Sequence, residues 1–541
     1  MRPFDEQGAF RPIAPKGDGL RQAAVRSVGV TLFSGGLGLT IQIVAVVVLA
    51  RLLTPRDFGL MTMVTTFSLL LVNFGMNGIT EAVVQQEVID HQLASNLFWI
   101  NVGGSLVLAL GFAATGPLLA RIYHDPLITG VAEGVAVTIF LTGLSVLHLA
   151  LLKRAMRFSV VSFNELLGRL VAVASSIALA WAGWGYWALV AGAVAQCVSV
   201  LIGSWTGCLW LPGLPRRGAG TGPMIRFAAS TYARFSTGYF TNNVDNFLVG
   251  WRLGPATLGF YKKAFDLFAL PAYQLSTGLT IVAVSALSRL RSDWVQYRRY
   301  LLSAIGVTAF VGMGLGADLT LVGNDLILVL LGPKWQESGR IFTLFGPGIG
   351  IMLLYSTHIW IHLSIGRADR WFRWGLIDLV VTVLFLLVGL RWGAQGIALA
   401  WVASYWVIAF PALWYAGQPI KLGISSIMAV VWRYILASLL AGCASASLLP
   451  AVRFLIPDPR WLAALARVVT VSILFGSLYL GAVILLHWGT APLRQFVGLV
   501  REMISRKRSA KTISGSSPGS DADFSAGCAV LATASPEKPA S

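Results

Sequence analysis

Long apolar runs recur along the whole of this 541-residue chain. Three of them, at 37–50, 105–120 and 376–390, each extend into stretches of about 20 residues with few charges. A helix of that length crosses the hydrocarbon core of a bilayer. Charged residues make up only 12% of the chain, which is roughly half the share found in soluble domains. The sequence therefore predicts an all-α polytopic membrane protein.

Hydrophobic patterning predicts fourteen transmembrane helices, and the loop charges orient them. Lys and Arg collect in the loops on one side, together with the two terminal segments. Because cytoplasmic loops are enriched in these residues, both termini are predicted to lie in the cytoplasm. The same loops account for the net charge of +18, so nucleic-acid binding is not expected. The predicted cores are 29–50, 58–80, 96–119, 131–151, 164–183, 186–211, 226–250, 257–285, 300–322, 340–364, 371–390, 394–416, 427–449 and 464–487.

A repeated pattern divides these helices into two units. The motif L-x-P-x-x-x-G occurs at 53–59 and again at 253–259, and a weaker echo links 184–190 with 392–400. Two six-helix lobes would enter the membrane in the same orientation, related by a pseudo-two-fold axis along the membrane normal, with the substrate site between them. The alternative is that Gly and Pro merely recur in tight loops. The predicted segments are a cytoplasmic N-terminal segment (1–27), an N-lobe (28–211), a C-lobe (225–416), an added helix pair (427–487) and a disordered cytoplasmic tail (495–541).

Polar residues interrupt one otherwise apolar region, TGYFTNNVDNFLVGW at 237–251. At 100° per residue, Arg234, Thr241 and Asp245 share one face of the predicted seventh helix, and Asn242 and Asn246 belong to the same cluster. A charge at mid-bilayer costs at least about 2.5–3.5 kcal/mol, so these side chains must face water or other protein. Both a hydrated cavity and interhelical hydrogen bonds satisfy that requirement.

Neighbouring helices supply further candidates for the lining of a cavity. Helix eight carries Lys262, Lys263 and Asp266, and helix two carries Asn73 and Asn77 on one face. Lys262 and Asp266 have the i,i+4 spacing of a local ion pair, which would leave Lys263 available to a ligand. Together with the polar cluster on helix seven, these residues are the predicted substrate-binding site.

Metal binding and catalysis have little support in the sequence. His358 and His362 are spaced i,i+4, but no third ligand accompanies them, so a packing or titrating role is favoured over a metal site. Asp318 and Asp378 are isolated acids within predicted helices, and either could carry a coupling proton. No cofactor is expected, and H⁺, Na⁺ and the cargo gradient are left open as energy sources.

Two stretches resemble Wzx-like polysaccharide flippases of the multidrug/oligosaccharidyl-lipid/polysaccharide (MOP) superfamily. One begins LARLLTPRDFGLMTMV (49–64) and continues at 79–102, and the other is NNVDNFLVGWRLGPATLGFYKKAFDLFALP (242–271). The similarity covers about 30–480 of the sequence. It implies two six-helix lobes around a central cavity. It also implies transfer of undecaprenyl-pyrophosphate-linked oligosaccharide repeat units across the bacterial inner membrane.

Residue chemistry fits that implication, and it leaves alternatives. Lys and Arg would neutralise a pyrophosphate, and Asn, Thr and Tyr would bind sugar hydroxyls, while the lipid tail stayed among membrane lipids. The implied partners are a polysaccharide polymerase and glycosyltransferases of the same pathway. A multidrug or metabolite exporter of the same superfamily is the nearest alternative. A membrane glycosyltransferase or O-antigen ligase is disfavoured, because every predicted outer loop is short.

Overall fold

The computed structural model of the protein describes residues 3–10, 18–74, 78–86, 88–216, 221–241, 243–457, 461–490 and 493–494. Within these ranges the chain is helical apart from turns and two isolated β-bridges. The helices are α1 (Asp18–Leu52), α2 (Pro55–Phe74), α3 (Thr80–Gln85), α4 (His91–Tyr123), α5 (Leu127–Arg154), α6 (Phe158–Trp181), α7 (Tyr186–Gly207), α8 (Gly222–Thr241), α9 (Val244–Arg289), α10 (Trp294–Leu331), α11 (Gln336–Phe345), α12 (Gly348–Ser364), α13 (Ala368–Gly389), α14 (Gly393–Gly417), α15 (Ile424–Leu455) and α16 (Trp461–Leu486).

Ten helical stretches in the described part of the chain are long and apolar enough to cross a membrane. The number rises to eleven if α11 and α12, which meet at a 52° bend, form one broken span. The stretch 369–420 counts once although it contains both α13 and α14, and neither α2 nor α8 is among the ten. The prediction of an all-helical, multi-pass membrane protein is therefore confirmed. The number of fourteen crossings stays a prediction.

The predicted seventh helix differs from the structure. The sequence indicated one helix over 226–250, but α8 ends at Thr241 and α9 begins at Val244. Asn243 between them has non-helical backbone angles, φ −135° and ψ 1°, and its side-chain amide donates a hydrogen bond to the carbonyl of Tyr239 at 2.9 Å. Short polar side chains that bond nearby backbone groups compete with helix formation. The asparagine-rich sequence thus ends a helix that its apolar neighbours would continue.

Both copies of the repeated motif start a helix at their proline. Within α9, Gly254 has φ 83° and ψ 174°, so the helix breaks there and resumes at Pro255. A positive φ of this kind favours glycine. In the first copy Pro55 is the first residue of α2, a position where proline loses no hydrogen bond. There the Asp57 carboxylate accepts hydrogen bonds from the backbone N–H and the hydroxyl of Thr54, at 2.8 and 2.7 Å, which caps the helix.

Helix contacts within residues 3–486 fall into three groups. The helices α1, α4, α5, α6 and α7 pack mainly on one another, and α9 to α14 do the same. Helix α2 packs on α5 and, more extensively, on α9. The pair α15 and α16 packs against α10. The first two groups are joined mainly through this contact of α2 with α9, and large buried side chains surround it. The two-lobe arrangement and its pseudo-two-fold axis stay predictions. The predicted tail, 495–541, lies outside the described residues. His487–Ser541 is a separate unit, of which only 487–490 and 493–494 are described.

The short segment 3–10 is a hairpin that packs on the beginning of α4. It is closed by a β-bridge between Phe4 and Phe10, and the carbonyl of Gly8 accepts a hydrogen bond from the His91 amide at 2.8 Å. The Phe4 side chain is buried, with its ring centroid 5.9 Å from that of Trp210 beyond the end of α7. The hairpin therefore connects two helix ends of the first group.

Candidate functional site

The predicted polar cluster lies on either side of the break in α9. Asp245, in the first turn of that helix, is 3% exposed. Its Oδ1 accepts a hydrogen bond from the backbone N–H of Asn246 at 2.8 Å, and its Oδ2 accepts one from the Tyr261 hydroxyl at 2.7 Å. The N-terminal end of a helix also stabilises a nearby negative charge. Asp245 is thus held by groups from both segments of α9.

Asn246 is buried beside this carboxylate. Its side-chain amide donates a hydrogen bond to the Asn243 Oδ1 at 3.2 Å, whereas its own Oδ1 has no partner among the described residues. Asn246 therefore contributes an unused acceptor to the buried polar cluster, where an unpaired polar atom costs free energy.

Lys262 and Asp266 form the ion pair that their spacing indicated. The Lys262 Nζ lies 2.8 Å from the Asp266 Oδ1, and the two side chains are 26% and 42% exposed. Lys262 is also close enough to Asp245 for an electrostatic interaction. A partly exposed cation therefore lies one helical turn before a partly exposed carboxylate on the same face of α9. A ligand that reached this pair would meet both signs of charge.

Lys263 does not take the position that the sequence suggested. It was predicted to be available to a ligand, but it is buried, and its Nζ lies 4.0 Å from the centroid of the Phe58 ring on α2. A cation over an aromatic face is attracted by the ring, by about 2 kcal/mol or more when water is excluded. In this structure Lys263 connects α9 with α2.

The remaining predicted site residues are described only in part. The Asn73 side-chain amide donates a hydrogen bond to the carbonyl of Leu69 on its own helix at 2.7 Å. Asn77 and Asn242 lie outside the described residues, and for Arg234 and Thr241 only the backbone is described, within α8. The structure therefore brings together the part of the predicted site that α9 carries.

Sequence reasoning missed a group of tyrosines that faces this cluster. The hydroxyl of Tyr355 on α12 donates a hydrogen bond to the Asp378 carboxylate on α13 at 2.8 Å. Tyr405 on α14 lies beside Tyr355, with ring centroids 5.3 Å apart, and both Asp245 and Asp378 act on it electrostatically. Tyr273 on α9 also interacts electrostatically with Asp245. The sequence signal that could have revealed these residues is a tyrosine within an apolar helix, because its buried hydroxyl needs a hydrogen-bond partner.

Helix α8 is joined to α2 by two further tyrosines. The hydroxyl of Tyr239 donates to the carbonyl of Thr66 at 2.9 Å, and that of Tyr232 donates to the carbonyl of Leu70 at 2.9 Å. These bonds place the predicted polar helix along α2, next to the site.

The two histidines of α12 are buried in protein. His358 contacts the carbonyl of Tyr355 through its Nδ1 at 2.5 Å, and its ring is 5.8 Å from that of His362. Within the described ranges no three His, Cys, Asp or Glu side chains are grouped as metal ligands. Among the side chains that the structure describes around α9, the polar groups are carboxylates, tyrosine hydroxyls and the partly exposed ammonium of Lys262. Such groups suit binding of a polar, charged molecule by ionic and hydrogen bonds.

Known proteins place the chain in a family. The sequence profile of a family described as "Polysaccharide biosynthesis protein" matches residues 48–340, more than half of the chain. The lipopolysaccharide biosynthesis protein WzxC of Escherichia coli K12 is 23% identical over 405 residues, covering 70% of this chain and 78% of that protein. The succinoglycan biosynthesis transport protein ExoT of Rhizobium meliloti 1021 is 23% identical over 394 residues, covering 70% and 77%.

Solved structures share the fold. The lipid II flippase MurJ in an inward closed conformation superposes with a TM-score of 0.66 at 13% identity, covering 85% of this chain and 100% of that one. An inward-facing multidrug resistance MATE family transporter of the MOP superfamily gives a TM-score of 0.55 at 12% identity, covering 71% and 94%. At these identities the likeness concerns the fold.

Proposed function

The chain belongs to the polysaccharide biosynthesis protein family, as a Wzx-like member of the MOP superfamily, and from this premise we propose that it flips undecaprenyl-pyrophosphate-linked oligosaccharide repeat units across the bacterial inner membrane. Its relatives are transport proteins, and the chain is a transporter and not an enzyme. The proposed orientation places both termini in the cytoplasm. The proposed partners are the glycosyltransferases that build the unit and the polymerase that uses it.

The accessible Lys262–Asp266 pair is the observation that carries this proposal. Ionic groups within apolar helices cost several kcal/mol unless they are paired or reach water, about 2.5–3.5 kcal/mol each at the bilayer centre. This pair is neutral as a whole yet 26% and 42% exposed, so a dianionic pyrophosphate can replace Asp266 as the partner of Lys262. Charge-assisted hydrogen bonds to a phosphate are about twice as strong as neutral ones. Tyr273, which is 49% exposed and interacts electrostatically with Lys262 and Asp266, supplies a hydroxyl for sugar.

Exchange of partners at Lys262 also gives a route for energy coupling. Cargo phosphate beside Asp266 is disfavoured by repulsion of like charges, and the repulsion disappears when that carboxylate takes up a proton or binds Na⁺. The proposed coupling ion is therefore H⁺ or Na⁺. It binds to the acidic groups of the C-terminal half, and release to the other side of the membrane restores the ion pair.

A multidrug or metabolite exporter is the second candidate, and a different observation favours it. The buried carboxylates of Asp245 and Asp378, with their tyrosine partners, would suit a cationic cargo. An exporter of this kind would give resistance to cationic dyes, and this resistance would depend on the two aspartates and not on Lys262.

Complementation of a strain that lacks the gene tests the proposal. Lys262→Ala is expected to lower polymer export about 10–100-fold, because loss of one hydrogen bond to a charged group costs about 1.5–3 kcal/mol. Lys262→Arg, which keeps the charge, is expected to retain most of the export. The matched control is Arg391→Ala, since Arg391 is exposed in the turn before α14. Normal export by Lys262→Ala at native protein abundance would refute the role of the pair.

A further inference from the structure

A groove with a volume of about 640 Å³ lies between α6 and α7 in the first helix group. Pockets that hold small molecules have volumes of about 300–1,000 Å³. Five residues of α6, between 160 and 171, and seven residues of α7, between 195 and 207, line the groove. They recur every three or four positions, so each helix presents one face to it. None of the twelve is charged, and most of the lining is apolar.

Exposed apolar side chains flank this groove, and the two helices touch at its base. Phe163 of α6 and Ile202 of α7 are 67% and 59% exposed. Beneath them Asn164 is buried, and its side-chain amide donates a hydrogen bond to the carbonyl of Val200 at 3.0 Å. The hydrogen bond fixes the distance between α6 and α7, so the groove is formed before anything binds.

The groove faces the region where lipid chains surround the protein. Both Phe158–Trp181 and Tyr186–Gly207 are long and apolar enough to cross a membrane. Within the hydrocarbon core no water is present to pair with a polar group, so an occupant must be apolar along this length. An acyl chain meets that requirement.

Two basic residues lie at one end of the groove. At Gly207 the ends of three helices meet, because a methyl group added there would lie 2.9 Å from Val160 of α6 and 3.6 Å from Leu152 of α5. Lys153 follows Leu152 directly, and the exposed Arg157 comes one turn before Val160. Among the residues that the structure describes, neither cation is paired with an acidic side chain. This end of the groove therefore attracts a negative charge.

The same end lies at the level of the lipid headgroups. After α7 the chain continues without a helix, and Leu209, Leu211 and Leu214 are 61%, 76% and 81% exposed. Several exposed leucines in one short segment are typical of a surface that contacts a membrane. The basic residues place this end on the side predicted to be cytoplasmic.

We propose that the groove between α6 and α7 binds one acidic phospholipid of the cytoplasmic leaflet. One acyl chain lies between the helices, and the phosphate lies beside Lys153 and Arg157. Basic pockets between transmembrane helices on the cytoplasmic side bind acidic headgroups in this way. A second copy of the chain would bring its own cations to the same end, where they would repel these two. The polar groups proposed for the cargo lie elsewhere, on α9, so the inference does not depend on transport.

Native mass spectrometry of the purified full-length chain tests the site. The protein in detergent is titrated with dioleoyl phosphatidylglycerol, and separately with dioleoyl phosphatidylethanolamine, which has the same chains and no net charge. One basic side chain near an acidic lipid strengthens binding about fivefold, so two should favour the first phosphatidylglycerol about 30-fold. Equal affinity for the two lipids would overturn the proposal.

Variants at the two ends of the lipid separate the headgroup from the chain. Arg157→Gln is expected to weaken phosphatidylglycerol binding about fivefold, whereas Arg157→Lys should keep it. Ser199→Leu places a larger side chain in the groove and should weaken binding of both lipids about fourfold for each methylene that it displaces. Unchanged binding of phosphatidylglycerol by both Arg157→Gln and Ser199→Leu would contradict the site.

Matched controls change similar residues away from the groove. Arg299→Gln alters an exposed arginine of α10 on the same predicted side, and Gly111→Leu adds atoms to α4 where a methyl group meets nothing within 4 Å. Both should bind phosphatidylglycerol as the native chain does. A loss in the controls equal to that in Arg157→Gln and Ser199→Leu would overturn the proposal.

Photo-crosslinking locates the lipid. Phosphatidylglycerol with a diazirine in one acyl chain is expected to modify peptides from 158–207. Crosslinks confined to other helices would contradict the groove as the site. Displacement of the lipid by undecaprenyl pyrophosphate, or a dimer that forms through α6 and α7 without lipid, would also overturn the proposal, because the occupant would then be cargo or a second copy.

Discussion

The hydrogen bond from Tyr261 to Asp245 is expected to stabilise the break in α9 measurably. The carboxylate is 3% exposed and receives a 2.7 Å bond from the hydroxyl on the far side of Gly254. Tyr261→Phe keeps the ring and removes only that donor. A hydrogen bond to a charged group contributes about 1.5–3 kcal/mol, and the buried oxygen left behind has no water to replace it. The free energy of unfolding should fall by about that amount.

A double-mutant cycle in mixed micelles measures this bond, with unfolding followed by denaturant titration. Tyr261→Phe and Asp245→Asn are measured alone and together, and a coupling free energy of at least about 1 kcal/mol is expected for residues in direct contact. Tyr186→Phe in α7, which belongs to neither segment of α9, serves as the control and should change stability little. Strict additivity of Tyr261→Phe and Asp245→Asn would refute the argument that the two segments of α9 are held together here.

Two further predictions concern the helix pair at the C-terminal end and the N-terminal hairpin. Arg467 of α16 and Asp325 of α10 form a largely buried ion pair at 2.6 Å. Arg467→Ala should therefore lower the free energy of unfolding by about 3–5 kcal/mol. Arg373→Ala, on the exposed face of α13, should leave the free energy of unfolding unchanged in the same denaturant titration. Phe4→Ala should release the hairpin from Trp210 and speed limited proteolysis before residue 18; equal cleavage of both forms would contradict the packing described.

The sequence predicted the parts of the fold that depend on apolar length and on tight turns. The predicted apolar segments are helical where the structure describes them, although the seventh is divided between α8 and α9 and the tenth between α11 and α12. Helices also begin at Pro55 and Pro255. The sequence did not predict the break at Asn243, because hydrophobic periodicity records which face is apolar and not whether a side chain bonds the backbone.

The candidate site was predictable where contacts are local and unpredictable where they are distant. The Lys262–Asp266 pair follows from i,i+4 spacing alone. The position of Lys263 depends on Phe58, which lies 205 residues away in the sequence, and no local pattern joins them. The packing of Gly59 on Pro255 and of Gly259 on Pro55 depends in the same way on how α2 and α9 meet. The motif showed that the copies match, but only the structure showed that they touch.

Transfer of lipid-linked glycan by the purified protein tests the central claim most directly. The protein is reconstituted into liposomes that carry undecaprenyl-pyrophosphate-linked glycan in both leaflets, and a glycan-cleaving enzyme is added outside. The account predicts that the protected inner half becomes accessible with the native protein, and at least about tenfold more slowly with Lys262→Ala, the loss expected for one hydrogen bond to a charged group. Protein-free liposomes should keep half of their glycan protected. The same result for liposomes that contain the native protein, under an imposed H⁺ or Na⁺ gradient of either direction, would contradict the account.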